Sequence, residues 1–184
     1  MKRDEKIKIF KDNIGTYNTL RCFFNYNSNY FYFYGVNINN KLMYGIEEDD
    51  FSIDGFQIRK LSNLKKIEVK NNITDKISEE LGVLNNIEIP NIDITSWENV
   101  FKSLYELGEY ITIESEDIDP CYGAFYIGKI IEVHKSYVVF NEFDANGEWQ
   151  GEINIWYRDI TSVTFRNRYT VEWERYLKKH NLNL

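Results

Sequence analysis

The chain has 184 residues and a mass of 22.1 kDa, 43% of it hydrophobic and 16% aromatic, which furnishes a packed core and excludes disorder over most of its length. Its net charge is -7, and the excess is one-sided: residues 1–90 hold 13 basic and 13 acidic side chains, residues 91–184 hold 9 and 16, which disfavours a nucleic acid or other polyanion as partner. Cys22 and Cys121 belong to no Cys/His cluster, no apolar run reaches membrane-span length and MKRDEKIKIF lacks the apolar core of a signal peptide; the expectation is a cytoplasmic protein with no cofactor, no metal and no membrane contact.

In chain order, Asp4 to Lys11, with Ile7 and Phe10 apolar, reads as a short helix or equally as a strand. The aromatic run Tyr30-Phe31-Tyr32-Phe33-Tyr34 follows, with Phe23, Phe24 and Tyr26 upstream. In a strand, alternate rings point to opposite sides, so the outer ones need a cover from a neighbouring unit or a partner. Val36 to Ile38 and Leu42 to Tyr44 form two strands joined at Asn39 to Lys41, and Asp54-Gly55 signals a hairpin turn before Phe56 to Leu61. After the strand Leu64 to Val69, Ile73, Ile77 and Leu81 recur at i, i+4 and i+8, the apolar stripe of a helix with one packed face, stopped at Gly82. Pro90 and the surrounding asparagines mark a boundary near residue 88.

Beyond it, Thr95-x-x-Glu98 is a capping box ahead of Trp97, Val100, Phe101 and Leu104, with Gly108 as the stop. Ile130 to Val133 and Tyr137 to Phe140 are strands joined at His134 to Ser136, and Asn146-Gly147 signals a type I′ hairpin. Ile153 to Tyr157 and Ile160 to Phe165 lead to a last helix in which Tyr169, Trp173 and Leu177 repeat the i, i+4, i+8 stripe.

These elements repeat at a spacing of about 95 residues. The strand pairs fall in the same places, Gly55 matches Gly151, Leu64 to Val69 matches Ile160 to Phe165, and both copies end in a striped helix. Phe56 to Leu61 and Ile153 to Tyr157 are out of phase by one residue, which a bulge would reconcile. A helix, about five short strands and a closing helix resemble the small-barrel architecture of Sm-like proteins. Gly128 to Ile131, Tyr137 to Phe140, Asp144-x-Asn-Gly147, Gly151, Asp159-Ile160-x-x-Val163 and Tyr169 also resemble a unit of uncharacterised proteins from low-GC bacteria. The resemblance implies a mainly β (α+β) fold of two tandem Sm-like small β-barrel units with flanking short helices, residues 1–88 and 89–184.

Little catalytic chemistry is on offer. His134 and His180 are the only histidines, one at a strand turn and one near the C-terminus, and no nucleophile elbow or phosphate-binding glycine run is present. The carboxylate runs Glu47 to Asp50 and Glu114 to Asp119 lack calcium-loop spacing and read as solvated loops. The residues by which Sm proteins hold RNA are missing: no Asp-x-x-x-Asn stands at Lys135 to Asn141, and Thr161-Ser162-Val163 replaces an Arg-Gly pair. The sequence therefore points to a non-enzymatic interaction protein with a protein partner, a basic one, as an immunity or antitoxin-type protein would have. The interface expected is Trp149, read as an exposed anchor, with Tyr32, Tyr34, Glu116 and Asp117. The alternative is an RNA-binding Sm-like regulator.

Overall fold

The computed structural model describes residues 1–26, 29–116 and 123–182. Helix α1 (Arg3–Asp12) is followed by strands β1 (Leu20–Phe24), β2 (Tyr30–Ile38), β3 (Leu42–Asp49) and β4 (Ser52–Lys60), a 3₁₀ turn at Leu61–Asn63, β5 (Leu64–Val69) and helix α2 (Ile73–Leu81). The second block runs α3 (Trp97–Leu107), β6 (Ile111–Ser115), β7 (Ala124–Val133), β8 (Tyr137–Phe143), β9 (Trp149–Trp156), β10 (Ser162–Phe165) and α4 (Arg168–Lys179). Of the two readings of the N-terminal segment, helix holds: Lys6 and Phe10, one turn apart, form its buried side.

The ten strands make one antiparallel sheet in the order β5-β1-β2-β3-β4-β10-β6-β7-β8-β9. Within each block the fifth strand returns beside the first and the others follow in chain order. The expected closed barrels are not what these strands form. β4 pairs with β10, Arg59 opposite Ser162 and Phe56 opposite Phe165, so the blocks join edge to edge in one open sheet. Each of these strands would otherwise leave a row of unpaired backbone groups, and pairing removes both rows.

The core is shared in the same way. On one face Tyr44, Ile46, Phe56 and Ile58 of the first block meet Ile111, Ile113, Val163 and Phe165 of the second under Val100, Phe101 and Leu104 of α3, none more than 3% exposed. Phe56 and Phe165 stack across the β4/β10 junction with centroids 5.4 Å apart. The other face carries two smaller clusters, Phe10, Leu20, Cys22 and Phe33 under α1, and Tyr110, Ile127, Phe143 and Leu177 under α4. Burying a side chain of this size stabilises by about 1.5–3 kcal/mol relative to leaving it in water.

Several local expectations shift. The β3–β4 turn is at Asp50-Phe51, both at positive φ (43° and 69°), where Phe51 N–H donates to Glu48 Oε1 at 2.8 Å. Gly55 lies instead inside β4 at φ 80°, in an irregularity of the β3–β4 pairing, and a Cβ there would stand 2.4 Å from the Asn167 nitrogen. Gly151 occupies the corresponding irregularity of β9 at φ 99°. At Asn146-Gly147 only the glycine has positive φ (81°), so the hairpin is not type I′. Asp144 organises it, its carboxylate accepting from the Asn146 and Glu148 N–H groups at 2.9 and 3.0 Å, while Gly147 N–H reaches Asp144 O at 2.9 Å. Those donors hold the Asp144 carboxyl below its ordinary range. The cap of α3 is Ser96, which accepts from Asn99 N–H, rather than Thr95. Gly82 and Gly108 do cap α2 and α3 in the left-handed conformation.

The two C-terminal stripes of the repeat part company. In α4, Leu177 is buried and Trp173 packs on Phe143, though Tyr169 is exposed. In α2 the expected packed face points outward: Ile73 and Leu81 are 66% and 69% exposed, and the buried side chains are Asp75 and Ser78. These polar groups, with Thr19, surround the Tyr34 hydroxyl, whose pKa burial raises. No helix among the described residues is long and apolar enough to cross a membrane.

Candidate functional site

The face bearing the two smaller clusters has a polar floor between them. Gln57 and Arg59 alternate with Phe56 and Ile58 along β4, so their side chains leave the shared core and face the opposite side. The register then sets Thr164 and Ser162 of β10 beside them, and Thr112 and Glu114 of β6 beyond. Glu47 enters from β3, opposite Phe33. Glu47, Gln57, Arg59, Thr112, Glu114 and Thr164 line a cleft of about 450 Å³, completed by Asp54, Glu116, Phe31, Phe125, Asn167 and Tyr169.

Arg59 is the centre of this floor, its side chain only 2% exposed. Its Nη1 and Nη2 donate to the two oxygens of Glu116 at 2.8 and 3.3 Å, and its Nε to Gln57 Oε1 at 2.6 Å. Glu114 lies 3.9 Å away and accepts from the Ser162 hydroxyl. The guanidinium lies over two ring faces that meet at a corner, 4.3 Å from the Phe24 centroid and 4.5 Å from that of Phe31. Gln57 in turn donates to Thr164 Oγ1 at 3.0 Å. A buried guanidinium needs a charge partner and satisfied donors, and here both blocks supply them.

Glu47 is in a different position. It is half buried, and removal from water, partly offset by Arg59 and reinforced by Asp54, Glu114 and Asp49, raises its pKa to about 7. Asp54 is tied to the start of α4, accepting from the Arg168 N–H at 2.7 Å. Phe125 and Tyr169 form the outer wall, 51% and 48% exposed, with ring centroids 6.0 Å apart at 64°. Among the described residues, four carboxylates and one cation thus line the cleft. Among the described residues no three His, Cys, Asp or Glu side chains come together to hold a metal.

The carboxylate runs are therefore not simply loops. Glu47 and Glu48 belong to β3 and point to opposite faces, Glu48 being buried, while Asp49 and Asp50 lie exposed at the turn. Glu116 is engaged with Arg59. The other residues expected at an interface do not gather there. Trp149 is half buried against Phe143 (5.3 Å) and Tyr110 (6.3 Å), and its indole N–H donates to Leu182 O at 2.6 Å, so it is part of the fold and not a protruding anchor. Tyr34 is 2% exposed in the large core. Tyr32, half buried, is covered by Lys70 and Arg21, 4.0 and 5.6 Å from its centroid. Asp117 and Cys121 lie outside the described residues. His134 is at the β7–β8 turn as expected, against Tyr137 and Glu132, and His180 follows α4.

Sequence reasoning missed Gln57, Arg59, Thr164 and Phe125. The available signal was polar alternation inside an apolar strand, Phe56-Gln57-Ile58-Arg59, which marks a face that is neither core nor free surface. Comparison of the chain with protein-family models, with curated proteins and with solved structures finds no match.

Proposed function

We propose that the chain is a non-enzymatic interaction module of two Sm-like units joined edge to edge, and that it binds another, basic protein at the cleft over their junction. The observation that carries this is the charge of the cleft: among its described lining residues the carboxylates Glu47, Asp54, Glu114 and Glu116 outnumber the cation Arg59. A recess of one sign steers a partner of the other and rewards a cation brought out of water against it. The repeated strand order and the paired positive-φ glycines of β4 and β9 support the two-unit reading. The described residues that line the cleft are carboxylates, amides, threonines, rings and the Arg59 guanidinium, with no histidine, cysteine or serine among them. An immunity or antitoxin-type protein neutralising a basic toxin has this profile.

The test is affinity capture from the native cell with wild type and with Phe125→Ala, a substitution at an exposed ring. Retention of a basic protein that weakens with salt and is lost with the variant is expected. Retention unchanged by the variant would refute the cleft as the contact.

The RNA reading keeps one observation in its favour, the opposite face of β1, β2 and β5, where Phe23, Tyr30 and Tyr32 lie among Arg21, Lys66 and Lys70. Those cations already sit on those rings, so an incoming base would have to displace them. Binding to single-stranded RNA no tighter than about 10⁻⁴ M at physiological salt is expected, and micromolar binding would favour the RNA reading instead.

A further inference from the structure

The cleft already shows how it treats one guanidinium. Arg59 is held by a carboxylate and by a corner of two rings, Glu116 at 2.8 and 3.3 Å and Phe24 and Phe31 at 4.3 and 4.5 Å. Planar, weakly hydrated guanidinium suits that combination better than a compact ammonium does. The outer side of the same cleft repeats the ingredients: the aromatic wall of Phe125 and Tyr169, about half exposed, and the carboxylate of Glu47. Among the ion pairs of the described residues Glu47 takes no part, whereas Glu114 and Glu116 meet Arg59 and Asp54 accepts a backbone N–H. A desolvated carboxylate sharing one cleft with two rings that turn apolar surface to water is a poor arrangement for the free protein. It becomes a favourable one when a flat organic cation enters.

We propose that the Phe125–Tyr169 side of the cleft receives an arginine side chain of the partner protein, with Glu47 as its carboxylate and the two rings as its cover. This rests on the reading of the chain as a protein-binding module. Lysine fits less well, because its compact, strongly hydrated ammonium cannot lie flat on a ring or form two parallel bonds to a carboxylate. The contact requires ionised Glu47, so it strengthens as pH rises through about 7. The charged and titratable groups facing Glu47 are Asp49 of β3, Asp54 and Arg59 of β4, Glu114 and Glu116 at the end of β6, and Arg168 and Tyr169 of α4.

The probe is the pentapeptide acetyl-Gly-Gly-Arg-Gly-Gly-amide, titrated into the full chain and followed by the aromatic side-chain resonances of the protein. Citrulline and lysine versions serve as controls, since citrulline keeps the shape and loses the charge. Saturable shifts with the arginine peptide are expected, several-fold weaker with lysine and absent with citrulline. Affinity should fall about tenfold from pH 8 to pH 6, as the ionised fraction of a group titrating near 7 does. Glu47→Gln should weaken binding at pH 8 to the wild-type level at pH 6 and abolish the pH dependence, and Phe125→Ala should weaken it several-fold at both pH values. Equal binding of the citrulline peptide, or no saturable shift at 10 mM arginine peptide (a concentration on the order of that needed to detect a contact of about 3 kcal/mol), overturns the proposal. If the peptide fails while capture of a basic protein still depends on Phe125, the cleft is a protein contact of another kind. If capture ignores Phe125→Ala, the protein-binding reading of the cleft itself fails.

Discussion

Replacing Glu47 with glutamine keeps the shape of the side chain and removes the charge that the cleft desolvates. The carboxyl titrates at about 7 in the folded protein against an ordinary 4.5. At about 1.4 kcal/mol per pH unit, such a rise corresponds to a penalty of about 3 kcal/mol for the ionised folded state, and partial exposure of the group to solvent lowers this to about 1–2 kcal/mol. Below pH 4.5 the carboxyl is neutral in both folded and unfolded chains, so wild type and Glu47→Gln should unfold alike. Between 4.5 and 7 the unfolded chain gives up the proton and the folded one keeps it, so wild-type stability falls as pH rises. Above about 7 the penalty is complete, and the variant should be more stable by about 1–2 kcal/mol. Urea unfolding followed by tryptophan fluorescence at pH 4, 6 and 8 measures this directly. A variant advantage that is the same at pH 4 and pH 8, or a variant less stable than wild type at pH 8, would refute the desolvation argument. Together with the peptide titration, the expected result is a trade: the carboxylate that weakens the fold at neutral pH is the one that holds the incoming cation.

Arg59→Met should lower stability by about 3 kcal/mol or more in the same assay, because it removes the buried guanidinium that Glu116 and Gln57 engage, and a loss under about 1 kcal/mol would show that the pair is replaceable by water. Gly55→Ala should cost more than about 2 kcal/mol, since its φ of 80° is unfavourable and its Cβ would meet the Asn167 backbone at 2.4 Å, whereas Gly108→Ala, with nothing within 4 Å, should cost only about 1 kcal/mol; equal losses would contradict the close approach of β4 to the start of α4. Trp149→Ala should destabilise by about 2 kcal/mol through lost packing on Phe143 and Tyr110, and a fully stable variant that loses its captured partner would return Trp149 to the interface.

Local chemistry was legible in the chain wherever it depends on near neighbours. Gly82 and Gly108 stop helices because a left-handed residue satisfies the last carbonyls most easily without a Cβ, whereas Gly55, read as part of a hairpin turn, takes its positive φ inside β4. Several strands of both blocks and the helix α4, with Trp173 and Leu177 inward, follow the apolar spacing, whereas β1 and β6 were not legible, the end of β6 reading as a solvated loop. The turns were less legible: Asp50-Phe51 carries the β3–β4 hairpin although neither residue is glycine, because the strand register and the Glu48 side chain impose the positive φ.

What the sequence determined by itself was thus most of the helices and strands in their order and the acidity of the second half. Only the tertiary structure decided that β4 and β10 pair, and the cleft depends on that pairing, since it brings Gln57 beside Thr164, 107 residues away. Periodicity tells which residues share a face of a strand, but not what lies opposite that face, and so it could not separate the exposed stripe of α2 from the buried one of α4. The same limit hid the site. A carboxylate beside a carboxylate in sequence, Glu47-Glu48, is sent by the strand to opposite sides of the sheet, one into the shared polar cleft and one beneath the β3–β4 turn, and its charge acquires meaning only from the strands that arrive beside it.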